Sequence, residues 1–302
     1  MDFRCIEIVG KWNKKTYIIK KLIGTGGVGK VYKVYDAKSK EYYALKISMD
    51  LCSITKEANM LDKFKDFEFI PKIIDIDDCE INEKMYHFIV LEYIEGKNLK
   101  EYTKKYRINI KELLGIAIIV CEAIDRFHKR GYVFGDLKPE NLMIDEKKKK
   151  LKIIDLGGVS KIGLGLKEFT PLYDRAKWNM GLRKADPAYD LFSICMFLAC
   201  FILESDSKIL NMDINSMICE LKRKGINQKL INLIKDGLFQ RQIDFSIFLK
   251  RLKKIYVNGS LKRDKKYKNK INLIVNIYFI SSLLCLITML LFLLSKSLTN
   301  IV

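Results

Sequence analysis

The sequence predicts an α+β fold followed by one transmembrane helix, and three stretches predict it. Residues 17–47 alternate β-branched and aromatic positions with polar ones around spaced glycines, the pattern of strands joined by a glycine loop. LFSICMFLACFIL (191–203) is an uncharged apolar run of 13 residues, too short to cross a bilayer and suited to a helix buried inside a domain. Residues 271–295 carry no charge and include LIVNIYFISSLLCLITMLLFLL, long enough to cross a hydrocarbon core of about 30 Å.

Composition bounds the rest. With 302 residues, 49% apolar and 30% charged, the chain buries a full core of one large or two small domains. Four prolines and no repeated or Gly/Ser-rich tract exclude a repeat architecture and a long flexible linker. Eight cysteines without a C-x-x-C spacing point to reduced, buried thiols rather than a zinc site or a disulfide framework. Two histidines, His87 and His128, leave carboxylates to carry any chemistry, and His128 is expected to be structural. MDFRCIEIVGKW lacks the apolar centre of a secretory signal, so the bulk of the chain is expected in the cytoplasm.

Along the chain, YIIKKLIGTGGVGKVYKVYD (17–36) reads strand, glycine loop, strand. Glycines at 24, 26 and 29 let main-chain N–H groups approach a polyphosphate, and the strand that follows, where a dinucleotide fold has a helix, favours a nucleotide lid. YYALKI (42–47) is a strand carrying Lys46 among apolar neighbours. ITKEANMLDKF (54–64) has helical spacing of Ile54, Ala58, Leu61 and Phe64 and offers Glu57 as a partner for Lys46. IVLEYIEGKNLKEY (89–102) gives a strand, a connector against which adenine can dock, and a new helix. Further on come VFGDLKPENLMI (133–144) and LKIIDLGG (151–158), two short strands flanking a solvated KKKK turn.

These motifs, in this order and spacing, resemble the protein kinase family, in its bacterial serine/threonine form, over residues 16–256. The resemblance implies a two-lobed fold, a β-rich N-lobe (16–93) and a mainly helical C-lobe (94–256), preceded by an extension (1–15). It implies ATP and Mg2+ as cofactors and protein serine or threonine as substrate. Gly24, Thr25, Gly26, Gly27 and Gly29 would cover the phosphates, with Lys46 contacting them and pairing with Glu57. Val31, Ala44 and Met143 would wall the adenine, Leu91 would close the back of its pocket, and Glu92 and Ile94 would line the connector. Asp136 would take the proton of the substrate hydroxyl, Lys138 would neutralise the transferring phosphoryl, and Asn141 and Asp155 would hold magnesium. The chemistry needs these types: the transition state spreads negative charge, so cations and fixed donors matter most, and magnesium is a hard ion that wants oxygen ligands.

Two departures stand out. Phe134 and Gly135 occupy the positions of a His-Arg pair; Phe134 reads as a packing substitution in an apolar column with Leu61 and Leu156. The missing Arg removes the receptor for an activation-loop phosphate, so activity is expected to be independent of loop phosphorylation. EFTPLYDRA (168–176) keeps Thr170, a match to the serine/threonine branch, but DRA replaces Ala-Pro-Glu, which puts the peptide-docking surface in question. Asp190 matches an aspartate that braces the catalytic loop. A pseudokinase scaffold, and a small-molecule kinase suggested by Gly135-Asp136, stand as alternatives.

KRDKKYKNK (262–270), in a basic segment over 257–270, precedes the span, and only Lys296 follows it. The positive-inside bias therefore predicts a single-pass cell-membrane protein with its kinase domain cytoplasmic and a short external tail (296–302). The cluster reads as an anchor beside acidic lipids rather than a nucleic-acid site, since no aromatic or Arg-rich stripe accompanies it.

Overall fold

Alternation along the first strands decides the two faces of a six-stranded antiparallel sheet in the computed structural model, which describes residues 7–26, 29–240 and 244–258. The strands are β1 (Glu7–Val9), β2 (Thr16–Thr25), β3 (Lys30–Asp36), β4 (Glu41–Ser48), β5 (Ile73–Ile81) and β6 (Lys84–Glu92), ordered β1-β2-β3-β4-β6-β5. Tyr32, Val34, Leu45, Ile47, Phe88 and Val90 turn to one face and form a small core with Ile8, Tyr17, Ile19 and Cys79. Their chain neighbours pair in register on the other face, Val31 with Lys46, Lys46 with Ile89, Ala44 with Leu91, and so look into the cleft.

The sheet begins inside the stretch the sequence assigned to an extension. Ile8 is buried and pairs with Tyr17. The turn that follows is held by carboxylates far along the chain: Asp77 accepts from the amides of Trp12 (3.0 Å) and Asn13 (2.9 Å), and Asp75 from the Tyr17 hydroxyl (2.7 Å). No local pattern carries such partners, which explains why residues 7–15 read as a tail.

Helix α1 (Leu51–Lys63) is capped by Asp50, which accepts from the Ser53 amide, and buries Ile54, Glu57, Ala58 and Leu61. The second lobe is built on α2 (Leu99–Lys105), α3 (Ile110–Lys129), α4 (Pro187–Leu203), α5 (Asp206–Leu210), α6 (Ile214–Arg223), α7 (Gln228–Leu238) and α8 (Phe245–Asn258). An Asn109/Glu112 capping box starts α3, and Asp186 followed by Pro187 starts α4. The apolar run 191–203 lies in α4, buried on nearly every side, as its length foretold. Between helices, β7 (Gly96–Asn98), β9 (Leu142–Asp145) and β10 (Lys150–Ile153) form a small sheet, and β8 (Tyr132–Val133) pairs with β11 (Ser160–Lys161). The product is two lobes, one of sheet and one of helix, with the cleft between.

Most of the basic segment, the expected transmembrane helix (271–295) and the tail (296–302) lie outside the described residues; α8 ends at Asn258. Among the described residues, no helix is long and apolar enough to cross a membrane.

Candidate active site

Strand alternation points Lys46 into the cleft, and helical spacing turns Glu57 toward it from α1. Lys46 Nζ is 2.5 Å from Glu57 Oε2 and 3.6 Å from Asp155 Oδ1. Glu57 is 1% exposed, and its second oxygen has no hydrogen-bond partner. Burial, reinforced by the Asp155 carboxylate, pushes the Glu57 carboxyl up to about 7. Burial pulls on Lys46 in the direction of the neutral amine, but Glu57 and Asp155 outweigh it and raise its pKa, so the ammonium is retained.

The loop between β8 and β9 presents Asp136, 7% exposed. Its Oδ2 accepts from Lys138 Nζ at 2.5 Å and its Oδ1 from the Thr170 hydroxyl at 2.7 Å. Asn141 Nδ2 donates to the Asp136 carbonyl at 2.9 Å, which leaves the amide oxygen of Asn141 free to face a cation. Beneath the loop, Asp190 of α4 accepts from the amides of Phe134 and Gly135, both at 2.9 Å, and lies 2.8 Å from His128 Nε2. His128, read as structural, is thus a partner of the brace.

Phe134 is buried in the same core as Leu61 and Leu156, in line with a packing role. Gly135 has a physical reason of its own. Its φ of +82° is left-handed, and a Cβ there would stand 2.7 Å from the Gly158 carbonyl oxygen. Gly158 in turn lies so close that its Cβ would meet that of Asp136 at 2.8 Å. The loop bearing Asp136 and the loop bearing Asp155 touch closely, with Gly135 against the Gly158 carbonyl and Gly158 against Asp136.

Asn141 and Asp155 supply oxygen donors of the kind magnesium takes, and two suffice for an ion held mainly by phosphates and water. That donor chemistry fits the ion the sequence implies. The glycine loop joins β2 to β3, with Gly24 opposite Val31, Thr25 opposite Lys30, and the Gly26 amide donating to the Gly29 carbonyl at 2.9 Å. Gly29 packs against the main chain of Ile47, whose oxygen would be 2.5 Å from a Cβ. Gly27 lies outside the described residues. Val31, Ala44 and Leu91 share the cleft face of the sheet; Ile94 is buried after β6, and Met143 is half-buried in β9.

The Glu92 carboxylate is bound to Lys148 and, at 3.2 Å, to the buried Lys152, and its amide donates to the Lys72 carbonyl at 2.8 Å, so neither its side chain nor its N–H is left for a nucleotide. Two residues escaped the sequence reading. Lys56 of α1 donates to the Gly157 carbonyl at 2.5 Å, and the Glu168 carboxylate lies over Gly157, 2.5 Å from where a Cβ would stand. Burial and the neighbouring Asp155 raise the pKa of Glu168. Lys56 adjoins Glu57 in sequence, a signal that was present; a glutamate in a loop carries none.

The profile of the protein kinase domain matches residues 17–244. The chain is similar to "Serine/threonine-protein kinase YabT" of Bacillus subtilis, 37% identical over 210 residues, which cover 68% of this chain and 61% of that protein. It is also similar to "Serine/threonine-protein kinase PrkC" of the same organism, 31% identical over 166 residues, covering 50% of this chain and 24% of PrkC. With the "cAMP-dependent protein kinase catalytic subunit 2" of Drosophila melanogaster it shares 26% over 180 residues, 54% of this chain and 49% of that one. The matches thus span less than two thirds of the length of these relatives.

Proposed function

Because this chain belongs to the protein kinase family, we propose that it transfers the terminal phosphoryl group of ATP to serine and threonine hydroxyls of proteins. Asp136 orients the attacking hydroxyl and receives its proton. Lys138, hydrogen-bonded to Asp136, faces the transferring group, and Lys46, held by Glu57, fixes phosphate oxygens. Asn141 and Asp155 hold magnesium, which when bound neutralises charge on the phosphates. The observation that carries this reading is the Lys46 ammonium reaching both Glu57 (2.5 Å) and Asp155 (3.6 Å), so that helix, sheet and metal loop meet in one arrangement.

Activity is independent of loop phosphorylation in this account. In place of a phosphate and its arginine, main-chain bonds tie the segment down: Ile162 to Gly131, Gly163 to Ala185 and Leu166 to Arg183, each 2.9 Å, and Ala185 to Leu164 at 2.7 Å. The uncharged run 271–295, preceded by KRDKKYKNK, anchors the domain at the cytoplasmic face of the cell membrane.

The experiment is transfer of labelled γ-phosphate by the full-length chain to itself and to generic proteins, with Asp136→Ala beside it. Label on Ser or Thr that disappears in the variant supports the reading. ATP binding without protein label returns the weight to a scaffold, and label on metabolites alone to a small-molecule kinase. Removing residues 271–302 tests the anchor: loss of membrane association is expected, and retained association contradicts the assignment.

A further inference from the structure

Asp174-Arg175 stands where Ala-Pro-Glu was expected, and these are two of the most deeply buried charges among the described residues, 0% and 4% exposed. A charge so placed is tolerated only with partners. Asp174 Oδ2 accepts from Arg183 Nε at 2.7 Å, and its Oδ1 from the Tyr189 hydroxyl and the Ala176 amide, both at 3.1 Å. Arg175 forks onto Asp186 with bonds of 2.8 and 2.6 Å and donates further to the carbonyls of Leu182 (2.8 Å) and Lys184 (3.3 Å). Acid 174 meets base 183, and base 175 meets acid 186: two crossed ion pairs close the loop. Asp186 also caps α4, accepting from the Tyr189 amide at 3.0 Å, so the loop is fastened to the most buried helix of the lobe.

Arg183 carries the connection toward the chemistry. Its guanidinium lies over the Phe169 ring, 4.1 Å from the centroid, while its Nε holds Asp174. Phe169 immediately precedes Thr170, whose hydroxyl donates to Asp136. The Arg183 carbonyl accepts from the Leu166 amide and fixes the segment upstream as well. Arg183 is 45% exposed in its side chain, so it is not there to fill a core.

We propose that Asp174, Arg175, Arg183 and Asp186 form a clasp that stands in for the missing Ala-Pro-Glu, and that Arg183, through Phe169, is a positioning residue for the protein-docking stretch beside Asp136. The proposal rests on the protein-kinase reading above. It places the segment's anchor within a dozen residues of itself rather than on a distant glutamate's partner.

The test uses the full-length chain with Arg183→Gln, Arg183→Lys, Phe169→Leu and the double variant Arg183→Gln/Phe169→Leu. Expected is a rise of about tenfold or more in KM for the protein substrate in Arg183→Gln, with KM for ATP within twofold. Arg183→Lys recovers part of the loss, because it keeps the charge and loses the flat face. The double variant is no worse than the worse single, as coupled residues require. Amide exchange of residues 163–166 accelerates in Arg183→Gln, a readout that needs no turnover. Unchanged exchange, multiplicative effects in the double variant, or a rise in KM for ATP instead of KM for protein overturns the clasp. A wild-type chain that labels no protein refutes the kinase reading separately, and the exchange data then decide the clasp alone.

Discussion

Gly135→Ala is expected to cripple the enzyme, even though the family tolerates a large arginine at this position. At a φ of +82° a non-glycine residue costs about 1–2 kcal/mol. The new Cβ would also stand 2.7 Å from the Gly158 carbonyl oxygen and 2.9 Å from Leu166 Cδ2, an overpacking of about 1–3 kcal/mol. Leu166 can swing aside, but Gly158 cannot retreat freely, because it is itself packed on Asp136. The sum, about 2–5 kcal/mol, corresponds to a fall in Tm of about 5–15 °C for a domain of this size. If half of it bears on the placement of Asp136 and Asp155, kcat drops by about fivefold to seventyfold. Steady-state phosphorylation and thermal unfolding read both numbers. Gly135→Arg is expected to be no better, and phosphorylation of the segment is not expected to rescue it. A Gly135→Ala variant with kcat within twofold and Tm within about 2 °C of wild type would refute the contact between the two loops as the reason for glycine.

Further expectations concern the neighbours of that contact. Because the Glu57 carboxyl is raised in the folded state to about 7 from an ordinary 4.5, its contribution to stability is complete below pH 4.5 and is lost as the pH rises through 7. Melting curves of wild type and Glu57→Gln should diverge over that interval, wild type losing stability relative to the variant as the pH rises, and parallel curves would contradict the assignment. Asp190→Asn replaces two accepted amide bonds by one and is expected to destabilise the fold by about 1–3 kcal/mol and lower kcat with it; denaturant unfolding with kinetics on the same samples checks this. Thr170→Val removes the hydroxyl from Asp136 and should lower kcat about tenfold with KM for ATP unchanged, whereas Thr170→Ser should stay near wild type.

What could be read from the sequence was what depends on short-range pattern. Alternation in 42–47 put Lys46 in the cleft, helical spacing in 54–64 turned Glu57 toward it, and 191–203 folded as a buried helix because it is apolar all round. Phe134 was legible as packing because its neighbours in the column are apolar too. Features that depend on distant partners were not legible. The turn after β1 is fixed by an aspartate more than sixty residues away, Glu92 is drawn off by Lys148 and Lys152, and the Asp174–Arg183 and Arg175–Asp186 pairs exist only once the loop closes on itself. The letters DRA announced a loss; the folded loop supplies an anchor of a different construction. Gly135 was read as a missing cation, when its backbone angle and its contact with Gly158 give the residue a steric reason to be there.

The central claim is a kinase whose activation segment is held by its own chain rather than by a phosphate. The most direct measurement is the initial rate of protein phosphorylation by full-length enzyme stripped of phosphate by a phosphatase, set against the untreated enzyme, with Asp136→Ala as the blank. Equal initial rates without a lag, both abolished in the variant, are what the account predicts. A stripped enzyme that is silent, or that recovers only after a lag of self-phosphorylation, contradicts it.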